Sequence, residues 1–369
     1  MKTSLASLEL HYLVKEFQFL IGGRIDNIYN PKKEEFILQF FVSGKGKHIV
    51  RMISGKLIYL ASAKSPAEAP SGFCMFLRKH LGNSRLRSVK QLESERIVEF
   101  VFEKEGRKKL IVELFGKGNV LLCDENDVIL SALVYHKWKD REIRAKGKYF
   151  YPKRKYNIFE LELSELKKLF QESDKELVKC LASELGLGGP YSEEACLLSD
   201  VDKGISPSSL DDKEINKLFK SIKKLVDNKI KPLTVYLKEE VKDIVPFELK
   251  VYGDLEKKSF KAYNEAFDNY FLEDVKEEKP KTKQEKEIDK LNRRMEQQKQ
   301  TIKELGDKEI KERGKADLVY KNYELVNEII AELRKATKKY DWKEIKKKLE
   351  GHKVVKSVNS KDKTVEIEI

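Results

Sequence analysis

The sequence has few of the residues on which metal centres and secretion depend. Its 369 residues include four cysteines and five histidines, and no two cysteines form a CxxC pair. A structural zinc site is therefore not expected. No apolar run reaches the roughly 20 residues that span a bilayer. Glu9 and His11 interrupt the N-terminus where a signal peptide needs an apolar core. We therefore expect a cytoplasmic protein without a membrane partner.

The motifs of common enzyme classes are also missing. The sequence contains no phosphate-binding P-loop, no GxGxxG dinucleotide motif, no HExxH zinc motif and no GxSxG nucleophile elbow. None of the histidines pair at metal-ligand spacing. We therefore expect no catalytic residue, no metal and no cofactor, and a binding protein rather than an enzyme.

Positive charge, by contrast, is abundant. The chain has 75 Lys and Arg against 62 Asp and Glu, which gives a formal net charge of +13. Such an excess favours nucleic acid as a partner. The basic residues recur at turns and helix ends, close to the aromatic residues 149–151, and this combination suits phosphate contacts with base stacking. The alternative is that they form ordinary solvated faces. The candidate contacts are Arg24, Arg78, Lys79, Arg85, Lys117, Arg141 and Arg144.

The first 150 residues are patterned as one helix followed by many strands. Residues 4–21 carry apolar side chains at helical spacing. After Gly22-Gly23, short β-rich segments alternate with turn sequences such as SGKGK, EKEGR and GKGN. This pattern predicts antiparallel meanders, a sandwich or a half-barrel, interrupted by a helix at 72–81. The predicted strands cover 24–30, 35–42, 47–54, 56–62, 96–103, 108–115, 119–125 and 128–135.

The middle of the chain, residues 158–228, has helical patterns around a glycine-rich turn. In LGLGGPYSEEA, Pro190 is placed to open the second of two helices. The arrangement resembles a helix-hairpin-helix unit, in which backbone N–H groups at Gly188 and Gly189 hold a phosphate. An ordinary helical hairpin is an equal alternative. KPLTVYL and FELKVYG then predict strands, and the aromatic stripe after residue 259 predicts a helix that packs on the first β-region.

From residue 283 the chain is polar, with apolar residues at heptad spacing as far as Tyr340. Polar seam residues, Gly306 and Gly314 weaken the middle of this seam. A seam needs a partner, and the sequence contains no second heptad run. A final strand-turn-strand stops at Ile369. We therefore expect a fragment of a longer protein, or a seam that pairs with a second copy of the chain.

The segment ESERIVEF contains an unusual arginine. Strand alternation places Arg96 on the same face as Val98, Phe100 and Phe102. One interpretation is a structural clasp, in which Arg96 bonds to Glu95 or to the backbone. The other is an acid and a base at the rim of a groove. There Glu95 would accept from a 2′-hydroxyl or a base amino group, and Arg96 would hold a phosphate or a base edge.

Several segments, in this order, resemble the N-terminal region of the NFACT family. That family contains the ribosome quality control factors RqcH and NEMF and proteins formerly described as fibronectin-binding. The resemblance covers residues 1 to about 350. The segments are SLASLEL, GGRIDNIYNP, FCMFLRKHLGNSRL, ESERIVEF, ELFGKGNVLLCDEND, GKYFYP, LGLGGPYSEEACLLSDVDK and SFKAYNEAFDNYF.

The resemblance implies an α+β fold. It would consist of a β-rich NFACT-N domain resembling formamidopyrimidine-DNA glycosylases, an inserted helix-hairpin-helix domain and a C-terminal coiled-coil helix. The family's C-terminal RNA-binding domain and second coiled-coil arm have no counterpart in the sequence. The implied boundaries are 1–170 and 231–278 for NFACT-N, 171–230 for the helix-hairpin-helix, 279–350 for the arm and 351–369 for a truncated β tip.

The resemblance also implies a function. Family members bind the large ribosomal subunit carrying an obstructed peptidyl-tRNA, recruit tRNA and support C-terminal tailing of the stalled chain. The family has an acid early in its first helix and an Asp-Arg dipeptide at a strand start. Glu9 and Glu95-Arg96 occupy those positions, so each acid reaches one methylene further. The implied tRNA-binding set is Glu9, Arg24, Arg78, Lys79, Arg85, Glu95 and Arg96, with further RNA contacts at Lys117, Arg141, Arg144, Gly188 and Gly189.

Two other functions compete with this one. The glycosylase-like fold and the helix-hairpin-helix suggest a structured-DNA or lesion-binding protein, although the sequence lacks an N-terminal proline and a zinc finger for glycosylase chemistry. The older family label suggests a surface adhesin that binds fibronectin. Neither a secretion signal nor an anchor supports the adhesin.

Overall fold

The computed structural model of the chain describes residues 2–65, 69–137, 141–152, 154–277, 283–349, 355–359 and 364–367. Tertiary contacts divide the chain into two compact units, Met1–Lys279 and Pro280–Ile369. Lys139, a basic residue shortly before the aromatic residues 149–151, lies outside the described residues. So do residues 279–282 and 350 of the predicted arm and parts of the predicted β tip. The finer boundaries at 170 and 230 stay predictions.

The first unit is built on a nine-stranded antiparallel sheet with the strand order β4-β3-β2-β1-β5-β6-β7-β8-β9. Two meanders, β1–β4 and β5–β9, join through the pairing of β1 with β5. Meanders were one of the three predicted arrangements. The strands are β1 Arg24–Lys32, β2 Glu35–Val42, β3 Gly46–Ile53, β4 Leu57–Ala61, β5 Arg85–Gln91, β6 Ile97–Glu103, β7 Arg107–Glu113, β8 Asn119–Asp124 and β9 Ile129–Ala132.

The predicted alternation of β6 is confirmed. Val98, Phe100 and Phe102 are fully or almost fully buried in the main core. The other face of the strand is covered too, because Ile97 belongs to a second, smaller cluster that Tyr149 helps to close. That cover includes the short pair β10 His136–Lys137 and β11 Glu142–Ile143. The sheet therefore has apolar cover on both faces at its β6–β9 end.

Helix α1, Ser7–Phe17, packs on the main face of this sheet and starts the core. The helix is shorter than the predicted span of 4–21, because it begins at Ser7 and is followed after Phe17 by a 3₁₀ turn, Gln18–Leu20. Phe17 is completely buried and its ring lies 6.5 Å from that of Phe100, a burial that stabilises by about 2–3 kcal/mol. Helix α2, Gly72–Leu81, begins where the Ser71 hydroxyl accepts from the Cys74 N–H.

The helical region forms four helices that share the main core of the first unit. Tyr191 and Leu218 are fully buried in the same cluster as Tyr12 of α1. The glycine-rich turn lies between a π-helical turn, Cys180–Glu184, and α5. The helices are α3 Leu163–Glu172, α4 Leu177–Lys179, α5 Gly189–Ser199 and α6 Asp212–Val226.

A three-stranded sheet and one more helix complete the first unit. The strand predicted for FELKVYG is wrong, because Lys250–Tyr252 form a 3₁₀ turn. Glu194 of α5 accepts from the Val251 N–H at 3.0 Å and holds that turn. β12 pairs with EVKDIV on one side and with Lys257–Ser259 on the other, and neither strand was predicted. The elements are β12 Leu233–Leu237, β13 Glu240–Val245, β14 Lys257–Ser259 and α7 Tyr263–Glu277.

The described residues of the second unit form three helices and a hairpin. The predicted seam through Tyr340 is interrupted at Asn322, where α8 gives way to α9. Gly306 and Gly314 lie within α8, and Leu291 and Ile302 of the seam are exposed. The elements are α8 Lys283–Lys321, α9 Tyr323–Ala336, α10 Trp342–Leu349, β15 Val355–Asn359 and β16 Thr364–Ile367.

Two glycine turns of the first unit touch so closely that one position excludes a side chain. A Cβ on Gly118 would lie 1.9 Å from the Gly55 nitrogen, and the residue has φ +69°. We expect Gly118→Ala to lower the free energy of unfolding by about 3 kcal/mol. Gly116→Ala is the control, because φ is +57° there but the space is open, and it should cost about 1 kcal/mol. Equal losses in denaturant titration would contradict the close approach.

His11 of α1 makes stability depend on acidity. Its ring stacks on Phe159 at 4.3 Å. The pKa of His11 is lowered from 6.5 to about 4. Burial is the main cause, repulsion from Lys15 adds to it, and attraction to Asp227 opposes both. The unfolded chain therefore binds more protons, and stability falls as the pH drops from 6.5 towards 4. His11→Phe keeps the stacking, so its melting temperature should fall less over this range than that of the wild type. The exposed His136→Phe variant should behave like the wild type.

Candidate nucleic-acid interface

The turn between β5 and β6 carries the predicted acid–base pair, but the two side chains do not bond to each other. The Arg154 Nε donates to Glu95 Oε1 at 3.1 Å. The Arg96 Nη1 donates instead to the Leu5 carbonyl at 3.3 Å. An Arg–backbone contact, one form of the predicted clasp, is therefore present. The second carboxylate oxygen of Glu95 accepts no hydrogen bond from the described part of the chain.

Arg154 makes this turn more positive than the sequence pattern suggested. Burial lowers the pKa of Arg96, the positive charge of Arg154 lowers it further, and Glu95 opposes both. Within the described residues the buried Arg154 Nη1 has no hydrogen-bond partner. Arg154 bonds to Glu95 and Arg96 bonds to a backbone carbonyl, so the Arg96 guanidinium has no carboxylate bonded to it among the described residues, which favours an anion at the turn.

The glycine-rich turn lies next to the same part of the chain. A Cβ on Gly188 would come within 3.1 Å of the Ala6 Cβ, and a Cβ on Gly186 would lie 1.5 Å from the Arg154 Nη1. Gly188, with φ +84°, is the N-cap of α5, and Gly189 is its first residue. The structure therefore gathers the β5–β6 turn, the glycine turn and the entry to α1.

Glu9 lies close to this region in sequence but inside the protein. It is 1% exposed. Lys2 Nζ lies 2.5 Å from Glu9 Oε1 and 2.6 Å from Asp243 Oδ1, and the Tyr191 hydroxyl donates to Glu9 at 3.0 Å. Burial raises the pKa of Glu9, and the Lys2 charge opposes that rise. Both oxygens of the buried Glu9 carboxylate thus accept hydrogen bonds from the protein.

Two of the predicted basic residues are occupied by contacts inside the protein. Arg78 Nε donates to the Ile28 carbonyl at 2.6 Å, and its guanidinium lies over the Tyr29 ring. Arg141 pairs with the buried Glu113 and lies 5.0 Å from the Tyr149 ring centroid. Both residues fix local structure.

The other predicted basic residues are exposed but scattered. Lys79 is at the end of α2, Lys117 is in the turn before β8, and Arg144 pairs with Glu142 at 3.3 Å. Arg24 and Arg85 are directly opposite each other on β1 and β5. The structure thus brings Arg24 to Arg85, and Glu95 and Arg96 to the glycine turn, without gathering all of them into one site.

Sequence reasoning missed Lys2, Arg154, Tyr191 and Asp243. Only Arg154 had a local signal, because it lies in the basic segment KRK that follows the aromatic run. Lys2 and Asp243, which bond to each other, are 241 residues apart, and no spacing rule detects such a pair.

In the described part of the chain there is no group of three or more metal-ligating side chains. Nor does any described helix have the length and apolar character to cross a membrane.

The fold has counterparts among solved structures. The N-terminal part of the fibronectin/fibrinogen-binding protein from Streptococcus suis superposes with a TM-score of 0.59 at 21% identity. It covers 73% of this chain and 100% of that one. The likeness defines the class as the mixed helix-and-sheet fold of these N-terminal regions.

Sequence comparison identifies the family. The family described as NFACT N-terminal and middle domains matches residues 7–366. The chain therefore belongs to the NFACT family, as the resemblance predicted. It is 35% identical over 372 residues to the archaeal Rqc2 homolog aRqcH of Methanocaldococcus jannaschii, covering 96% of this chain and 55% of that protein.

A more distant relative is the human ribosome quality control complex subunit NEMF. The identity is 27% over 380 residues, covering 94% of this chain and 35% of NEMF. The chain thus spans about half the length of the archaeal relative and about a third of the human one. The inserted helix-hairpin-helix and the coiled coil of the predicted fold stay predictions.

The contact between Arg154 and Gly186 is testable by a double-mutant cycle. Gly186→Ala should expel the guanidinium and cost about 3 kcal/mol of stability, through the clash and through φ +85°. In an Arg154→Ala background the clash is gone, so we expect a coupling of about 1–2 kcal/mol in denaturant titration. Gly253→Ala has positive φ and open space, and its cost should add to that of Arg154→Ala. Additivity at Gly186 would contradict the contact.

Proposed function

We propose that this chain is the RNA-binding module of a ribosome quality control factor. In this proposal it binds tRNA and large-subunit rRNA, recognises large subunits obstructed by peptidyl-tRNA and recruits tRNA for C-terminal tailing. The names of its relatives support the general role. The net charge of +13 supports a polyanionic partner.

One observation supports placing the tRNA site at the β5–β6 turn. There the guanidinium groups of Arg96 and Arg154 lie near Glu95, which bonds to Arg154 alone among the described residues and keeps its second oxygen free of hydrogen bonds from them. A free carboxylate oxygen accepts from a 2′-hydroxyl or a base amino group, while a guanidinium holds a phosphate or a base edge. The turn thus offers both kinds of group that RNA recognition uses. Gly189 would add a backbone N–H group at the start of α5, whereas the Gly188 N–H already donates to the Ala182 carbonyl at 3.3 Å.

Glu9 acts indirectly in this proposal. Its carboxylate, bonded to Lys2 and to the Ala6 N–H at 2.8 Å, fixes the segment whose Leu5 carbonyl holds Arg96. Arg24, Lys79, Arg85, Lys117 and Arg144 are proposed as phosphate contacts. Arg78 and Arg141 would contribute only positive potential, because their guanidinium groups are already engaged.

The test is binding of the chain to deacylated and aminoacylated tRNA near physiological salt. Arg96→Ala, and Glu95→Ala with Arg96→Ala, should each weaken binding about tenfold or more. The melting temperature of Arg96→Ala should change little, because among the described residues the Arg96 side chain makes only one, long hydrogen bond. The double variant also loses the bond between Arg154 and Glu95, so its folding is checked separately. In the control variant, Glu312 and Lys315, which form an exposed ion pair on α8, are both replaced with alanine. This variant also loses one acid and one base, and its affinity should be unchanged.

Two results would contradict the proposal. A large fall in melting temperature with unchanged affinity would assign Arg96 to a structural clasp alone. Simple charge attraction serves both polymers equally at matched salt. Nearly complete displacement of bound tRNA by an equal concentration of duplex DNA would therefore show a preference for DNA and favour the DNA-binding alternative.

A further inference from the structure

A single line of side chains crosses the outer face of the nine-stranded sheet from β3 to β7. Their neighbours along each strand, such as Phe40, Ile25 and Leu86, are fully buried in the main core, so the line faces the other way. At ordinary strand spacing six members span about 24 Å. This cross-sheet row pairs Lys47 with Phe41, Phe41 with Arg24, Arg24 with Arg85, Arg85 with Glu103, and Glu103 with Arg107.

The two central arginines are held as close as a β-ladder allows. The Leu86 N–H donates to the Gly23 carbonyl at 2.8 Å, and the Ile25 N–H donates to the Ser84 carbonyl at 3.0 Å. These bonds flank Arg24 and Arg85, which are therefore a non-hydrogen-bonded pair with side chains at closest approach. Like charges placed directly opposite destabilise a sheet, so this pair costs stability in the absence of an anion.

The nearest acids do not neutralise the pair. Glu103 is opposite Arg85, but its carboxylate bonds to Arg87 at 2.5 Å and lies 3.6 Å from Arg107. Asp26 is taken by Lys47 at 3.3 Å and by the Gln39 amide. Among the described residues, no carboxylate lies within ion-pair distance of Arg24 or Arg85. The middle of the row therefore carries two uncompensated charges.

An exposed aromatic ring lies beside these charges. Phe41 is 38% exposed, and the Arg24 guanidinium lies over its ring, 5.4 Å from the centroid. The adjacent Phe40, on the core side of the same strand, is fully buried. An outward phenylalanine next to cations provides a surface on which a base stacks while its phosphates are neutralised.

We propose that the cross-sheet row is a second RNA-binding surface, for a single-stranded segment. Arg24 and Arg85 hold phosphates, and Phe41 stacks one unpaired base. The row lies at the opposite end of the β5–β6 hairpin from Glu95 and Arg96, about 20 Å away along β5. This inference rests on the proposed function, because it assumes that RNA is the ligand, but it concerns a different surface.

The first test measures anisotropy of a labelled, unstructured RNA of about twelve nucleotides, and of a blunt duplex RNA, with the whole 369-residue chain. Phe41→Ala should weaken single-strand binding about tenfold and leave duplex binding nearly unchanged, because paired bases do not stack on the ring. Phe41→Trp should restore single-strand binding. Equal affinity of wild type and Phe41→Ala for the single strand would overturn the proposal.

The second test uses salt and heat. Arg24→Gln with Arg85→Gln should lower the slope of log affinity against log salt by about 1.4, for two phosphates of a single strand. Lys217→Gln with Lys220→Gln on the exposed face of α6 removes the same charge and should leave the slope unchanged. Arg24→Gln alone should keep or raise the melting temperature, because it relieves repulsion. A lowered melting temperature with an unchanged slope would assign the pair a structural role and overturn the proposal.

The outcomes separate this inference from the proposed function. If tRNA binding depends on Glu95 and Arg96 but no RNA depends on the row, the inference fails together with the proposed phosphate contacts of Arg24 and Arg85, and the tRNA site at the β5–β6 turn stands. If single-stranded RNA depends on the row but tRNA ignores Glu95 and Arg96, the placement of the tRNA site fails and the inference stands. If the wild-type chain binds no RNA, both fail.

Discussion

The buried ion triad of Lys2, Glu9 and Asp243 is the constraint on which the candidate interface depends. Three charges taken out of water are tolerated only while each has partners, and removing one leaves the others uncompensated. Tyr191 and Tyr252 add hydroxyl donors to the two carboxylates. The triad thereby joins the start of the chain to α5 and β13. The Leu5 carbonyl, which holds Arg96, lies between two members of the triad, so the position of the Arg96 guanidinium is set from inside the protein.

Much of the β-architecture was predictable because one physical signal dominates it. Strands such as β2 and β6 are rich in apolar residues, either alternating with polar ones or in runs. Several of the turns that connect consecutive strands contain glycine. The strand β5 was missed because its outward residues, including Arg85 and Lys90, are basic and only Leu86 and Val89 are buried. FELKVYG failed in the opposite way. Its Phe247, Leu249 and Tyr252 are buried. Glu194 of a distant helix nevertheless holds the backbone in a turn, and a local pattern does not contain that contact.

For the candidate site, the sequence indicated which residues to consider but not which partners they contact in the folded chain. Strand alternation singled out Arg96 as an arginine in need of a partner, and the partner proved to be a backbone carbonyl 91 positions away. Arg154, which reaches Glu95 across 59 positions, was hidden within a basic run. The cross-sheet row is also invisible in sequence. Its members come from six strands, and only the register places Arg24 beside Phe41 and Arg85.

The triad also has a consequence for the order in which the molecule is made. Lys2 and Glu9 are synthesised well before Asp243, which follows Lys2 by 241 residues. Until Asp243 is made, the side chains of Lys2 and Glu9 stay hydrated and lack their third charged partner. The turn at residues 250–252, which Glu194 holds, is also missing. Contacts this distant in sequence form late because a long loop must close first. The segment that contains Lys2 and Glu9 thus waits for its native environment until residue 243 has been synthesised, and a nascent chain that ends before Asp243 cannot complete the triad that positions Arg96.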